Sequence, residues 1–215
     1  MEKMQNSPFK FLDPYAKGDS EIFFGREEET ETLYHYVNKN RLVLVYGTSG
    51  TGKTSLVQCG LANRLEVTDW IPFFIRRGKD INASLRDTLL HSNAITPAQY
   101  TDLSDEGVIK ILQQINVHYL RPVYLIFDQF EELLILGKRE EKEEFMRLLR
   151  RIFLGADTQF CNLLFILREE YFAWMDPFEQ VIPGFSDRRL RVEAMRANDV
   201  EEVIEKSCKA FNIEL

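Results

Sequence analysis

Cysteine is scarce, with three residues (Cys59, Cys161 and Cys208) in a chain of 215. They lack the paired spacing of a disulfide framework or a zinc cluster, so buried free thiols are expected. Long hydrophobic runs are missing too. No stretch approaches the roughly 18 apolar residues a membrane helix needs, and no N-terminal apolar run has the pattern of a signal peptide. Cytoplasmic residence without a membrane partner is therefore expected. Positive charge is outnumbered, 27 Lys and Arg against 34 Asp and Glu, giving a net charge of −7. That balance leaves the whole chain no electrostatic footprint for nucleic acid. The three histidines, His35, His91 and His118, stand in helical stretches without ligand spacing. Internal repeats, low-complexity tracts and a guanine-reading N-K-x-D string are absent as well.

What is present is an ordinary globular composition, 45% hydrophobic, with alternating strand and helix patterns. Continuous apolar runs at residues 42–46 (LVLVY), 71–75 (IPFFI), 123–127 (VYLIF) and 163–167 (LLFIL) predict strands buried on both faces. Pro72 places the second at a sheet edge or a strand start. A fifth strand is predicted over 190–192. Helices are predicted over 27–38, 53–65, 82–91, 105–119, 140–153 and 198–210, with a short helix and a Pro183-Gly184 turn before the fifth strand. After a loose start over residues 1–7, Phe9, Phe11 and Tyr15 predict a segment packed against the body. This alternation means an α/β fold, a parallel five-stranded sheet flanked by helices.

Residues 47–54 read GTSGTGKT, matching G-x-x-x-x-G-K-[ST] at every fixed position. In such a P-loop, Gly47, Gly50 and Gly52 let successive N–H groups turn toward a phosphate, and the following helix adds its N-terminal dipole. Lys53 supplies a point charge for the β- and γ-phosphates, and the Thr54 hydroxyl is a Mg²⁺ ligand. Thr48, Ser49, Thr51 and Ser55 complete the predicted nucleotide-binding stretch. A preceding buried strand and a following helix give the motif the context its chemistry needs. A second element should be an acid at the tip of another strand. Asp128 ends VYLIF and is read as the Mg²⁺ carboxylate, with Glu131 or Glu132 as the base that activates water. Arg168 ends LLFIL on the same side of a parallel sheet and is read as a sensor of the γ-phosphate. Arg188, Arg189 and Arg191 are read as surface charge, with a trans-acting arginine finger as the alternative. Trp70 and Trp174 are read as core or interface aromatics.

Six strings resemble the nucleotide-binding domain of the STAND class, signal-transduction ATPases with numerous domains, in its novel STAND group. They are IFFGREEE (22–29), YGTSGTGKTSLVQCGL (46–61), FFIRRG (73–78), DQFEEL (128–133), LREEYF (167–172) and IPGFSDRRLRVEAM (182–195). The resemblance implies an AAA+-related P-loop fold, with ATP or ADP and Mg²⁺ as ligands. It further implies a slow ATPase switch whose ATP-bound form self-associates, in bacterial defence or stress signalling. Gly25 and Arg26 fall in its nucleotide-proximal N-terminal box, within a segment over 8–40. Asp128 is implied for Mg²⁺, a Glu131–Glu132 acid for catalysis and Arg168 for the γ-phosphate. The nucleotide-binding domain is expected to span 1–195, and 196–215 to begin a helical lid that continues beyond Leu215. One departure is Arg76-Arg77-Gly78, where Arg-Pro-Gly is expected. The alternative is an AAA+-type mechanochemical ATPase related to replication loaders or helicases. That class places glutamate directly after the Mg²⁺ aspartate, where this chain has Gln129.

Overall fold

A computed structural model of the chain describes residues 8–10, 13–96, 102 and 104–213. The loose start over 1–7 and Phe11 lie outside the described residues. Strands β1 (Leu42–Gly47), β2 (Ile71–Ile75), β3 (Val123–Phe127), β4 (Cys161–Arg168) and β5 (Arg189–Arg191) form one parallel sheet. Their order is β2-β3-β4-β1-β5. The apolar runs become strands because both faces of the sheet are covered, and the period-two alternation of side chains divides each run between two cores. Leu44, Leu125, Phe127, Leu163 and Phe165 enter one core with α4 (Ile81–Leu90), α5 (Asp105–Tyr119) and α7 (Arg139–Leu154). Val43, Val45, Ile126, Leu164 and Ile166 enter the other with α1 (Glu27–Lys39). Pro72 lies in β2, which stands at the sheet edge, where a missing N–H costs no ladder bond.

The helix predicted over 53–65 is not uniform. It opens as α2 (Lys53–Ser55), widens to a π-helical stretch (Leu56–Leu61) and closes as α3 (Ala62–Arg64). In the wide stretch Leu56, Val57, Cys59, Gly60 and Leu61 are all buried, more than one α-helical face carries. A 3.6-residue period does not reveal such a turn. The remaining α-helices among the described residues are α6 (Glu131–Leu136), α8 (Asp176–Val181) and α9 (Ala197–Ala210). All three cysteines are free and buried, and burial pushes two of the thiols up, that of Cys59 to about 11 and that of Cys161 to about 12. Trp70 is core, edge-on to Tyr124, whereas Trp174 is exposed against Tyr171. No helix among the described residues is long and apolar enough to cross a membrane.

Candidate functional site

The carboxyl ends of β1, β2, β3 and β4 meet around one cavity of about 470 Å³. β1 delivers the loop. A Cβ at Gly47 would strike the Val192 carbonyl, so only glycine lets the chain leave β1 this close to the end of β5. Gly50 (φ 81°) and Gly52 (φ 84°) adopt left-handed conformations that L side chains resist, and Gly52 caps α2. Lys53 is buried, its Nζ donating to the carbonyls of Gly47 (3.0 Å) and Thr48 (2.6 Å). Burial draws its pKa below the ordinary 10.5, opposed by the charge of Glu131 and reinforced by that of Arg168.

Thr54, one residue on, places its hydroxyl 2.8 Å from Oδ1 of Asp128. Asp128 is held at the tip of β3 by its own N–H to the Ile75 carbonyl and is 2% exposed. Gln129 follows in the left-handed region (φ 55°), turning the chain sharply out of the strand. Phe130 then drops into the core against Phe127, Phe145, Phe165 and Phe178, with ring centroids 4.8 to 6.1 Å apart. This packing aims Glu131 back at the cavity. Glu131 is buried and meets Arg168 twice: Oε1 lies 3.1 Å from Nε, and Oε2 accepts the Arg168 backbone N–H at 3.3 Å. The β1–β4 register sets Arg168 beside Gly47. Glu132 does not line this cavity, and its charge acts on Arg77.

A second cavity of about 370 Å³ adjoins the outer side of the loop, lined by Thr48, Thr51, Phe23, Met195, Val200 and Val203 among others. Gly25 (φ 74°) lies so close to α9 that a Cβ would come within 2.6 Å of Val203. Arg26 is buried and braces the loop, donating to the carbonyls of Thr51 (2.9 Å) and Glu193 (2.8 Å) while pairing with Glu29. Ser49 and Ser55 line both cavities, and the Ser55 hydroxyl accepts the Tyr15 N–H at 3.1 Å. The arginines of the downstream cluster are occupied at the surface: Arg188 on Asn40, Arg189 over Phe172, Arg191 on Glu169 and Glu193.

Among the described residues no cluster of three or more His, Cys, Asp or Glu could hold a metal. Mg²⁺ does not require one, since it keeps several waters and takes one or two protein oxygens beside substrate phosphates. The Thr54 hydroxyl and Asp128 carboxylate are a donor pair of that kind. Arg76, to which no motif assigns a role in the sequence, joins the site: its Nη2 and Nε lie 2.6 and 2.9 Å from Oδ2 of Asp128. The signal was available: Arg76 follows the last residue of β2, on the same edge that singled out Asp128 and Arg168.

A phosphate loop leading from a buried strand into a helix, set against an acid on a neighbouring strand tip, defines the P-loop NTPase class of domain. The chain belongs to the novel STAND NTPase 1 family, whose model matches residues 8–215. It is similar in fold to the Walker-type ATPase PABY2304 of Pyrococcus abyssi (TM-score 0.65, 19% identity, 95% of this chain and 63% of that one). The Aeropyrum pernix ORC2 protein, solved as ADPNP-ADP complexes, gives 0.61 at 16% identity over 86% and 52%. AMPPCP-bound DnaA from Aquifex aeolicus gives 0.55 at 16% identity over 96% and 58%. The chain thus spans less than two thirds of the length of each of these structures. At these identities the likeness is one of fold. No curated protein matches the chain.

Proposed function

We propose that the chain is an ATP-hydrolysing switch module that binds Mg-ATP on residues 47–54, self-associates with ATP bound and relaxes with ADP, as part of a bacterial signalling ATPase. The observation that carries this reading is the 2.8 Å contact between Thr54 and Asp128 beneath a complete phosphate loop. Lys53 moves from the loop carbonyls onto the β- and γ-phosphates, and Thr54 and Asp128 would hold Mg²⁺. Bound there, Mg²⁺ would supply positive charge against the charge that develops on the phosphates. Water attacks the γ-phosphorus, the bond to the β–γ bridging oxygen breaks, and ADP and phosphate result. Glu131 orients that water and takes its proton, which its position in the cavity wall favours over Glu132. Arg168, steered by Glu131, meets the γ-phosphate and so reports whether it is present.

Glu131→Gln is expected to keep ATP binding and slow phosphate release by about 100-fold or more, while Glu132→Gln stays close to native. Equal rates for both variants and the native chain would overturn the base assignment. Light scattering with a non-hydrolysable ATP analogue and with ADP tests the switch, and identical particle mass in both states would contradict it. The Aeropyrum pernix ORC1 structure is a complex with DNA. Hydrolysis stimulated by DNA would favour the mechanochemical alternative over the switch.

A further inference from the structure

Both oxygens of Asp128 are engaged. Oδ1 accepts the Thr54 hydroxyl at 2.8 Å and the Gln129 N–H at 3.1 Å. Oδ2 accepts two prongs of Arg76, at 2.6 and 2.9 Å. The pair is lopsided: the Asp128 side chain is 1% exposed and the Arg76 side chain 51%. A buried acid is capped by an arginine that stays in the cavity wall. Arg77 is buried and grips both oxygens of Glu141 on α7, at 2.7 and 2.9 Å. The two adjacent arginines thus part company, Arg77 to Glu141 on α7 and Arg76 to Asp128 in the cavity wall.

We infer that Arg76 is a charge latch on Asp128 that sets how strongly nucleotide binding depends on a divalent cation. This rests on Asp128 being the Mg²⁺ carboxylate. A bare carboxylate 2.8 Å from the Thr54 hydroxyl repels a polyphosphate bound at the loop. Arg76 cancels that charge and lets nucleotide bind without metal. A divalent cation held by Thr54 and Asp128 would neutralise the same carboxylate, so the cation and Arg76 are alternative counter-charges to it. Arg76 is a positioning residue: it acts on the phosphates through Asp128.

The test is the affinity of the 215-residue chain for a fluorescent ATP analogue, in excess EDTA and in saturating Mg²⁺. Arg76→Gln keeps hydrogen-bonding capacity and removes the charge. It is expected to raise the ratio of Kd in EDTA to Kd in Mg²⁺ roughly tenfold, the scale of one charge-assisted pair. The rise should come from weaker metal-free binding, with Mg²⁺ binding unchanged or tighter. Arg76→Lys should move the ratio less. In an Asp128→Asn background, Arg76→Gln should leave it unchanged. A ratio unmoved by Arg76→Gln, or moved equally in the Asp128→Asn background, overturns the latch while leaving the nucleotide site intact. A native chain that binds the analogue in neither condition overturns the site reading, and the latch with it.

Discussion

The residues around Asp128 do their work through a small number of charges held at fixed distance. Lys53 carries a measurable signature of that arrangement, since burial lowers its pKa below 10.5 in the free chain. Phosphates favour the charged ammonium and raise the value again, so nucleotide binds the protonated form preferentially. Affinity should be flat at low pH and fall as pH rises through the depressed pKa, beginning below 10.5. Lys53→Arg should remove this fall, because a guanidinium does not titrate in that range. Titration calorimetry across the alkaline range checks it, and parallel curves for the two proteins would count against the assignment. That Lys53, Thr54, Asp128 and Arg168 face one cavity was readable in sequence, because each sits at a fixed offset from an apolar run. Arg76 has the same offset, but its partner is 52 residues away and its role exists only once Asp128 is opposite it. Arg26 likewise reads as a motif arginine, yet its bonds to Thr51 and Glu193 require the folded loop.

Among the elements, β2 and α7 are joined by a polar tie. Glu141 is buried; desolvation pushes its pKa up, but hydrogen bonds from Arg77 and the Ile81 N–H outweigh this and hold it below 4.5. A depressed carboxylate stabilises the fold above its unfolded pKa, and that contribution is lost as pH falls through the folded value. Glu141→Ala leaves Arg77 buried without its carboxylate and should cost about 3 kcal/mol. The variant should also lose this part of the acid sensitivity. Urea unfolding at neutral and acidic pH measures both, and a cost below about 1 kcal/mol would match a solvated pair instead. The strands were legible because continuous apolar runs bounded by polar residues have few other uses. The π-helical stretch was not, since hydrophobic residues all round a helix look alike at any period. The string DQFEEL sits between these cases. Asp128 and Glu131 read as site chemistry, whereas Phe130 shows its function only inside the phenylalanine cluster that turns Glu131 inward.

For the whole molecule, the sheet order decides what the site contains. Placing β1 between β4 and β5, with β3 beyond β4, puts the loop, Arg168, Asp128 and Arg76 along one edge. Local patterns predict parallel strands but not this order, because β1 pairs with residues more than 100 positions away, as Leu42 does with Leu163. A ligand held by four strand tips and a helix N-terminus should stabilise the entire domain. At 100 times Kd the linkage is about 2.7 kcal/mol, which for a chain of this size raises Tm by roughly 5–10 °C. Thermal unfolding with and without Mg-ATP, for the native chain and Lys53→Ala, is the most direct measurement of the loop's role. A rise of that size in the native chain, abolished in Lys53→Ala, is the predicted result. No rise in the native chain, or the same rise in both, would contradict a nucleotide site on residues 47–54.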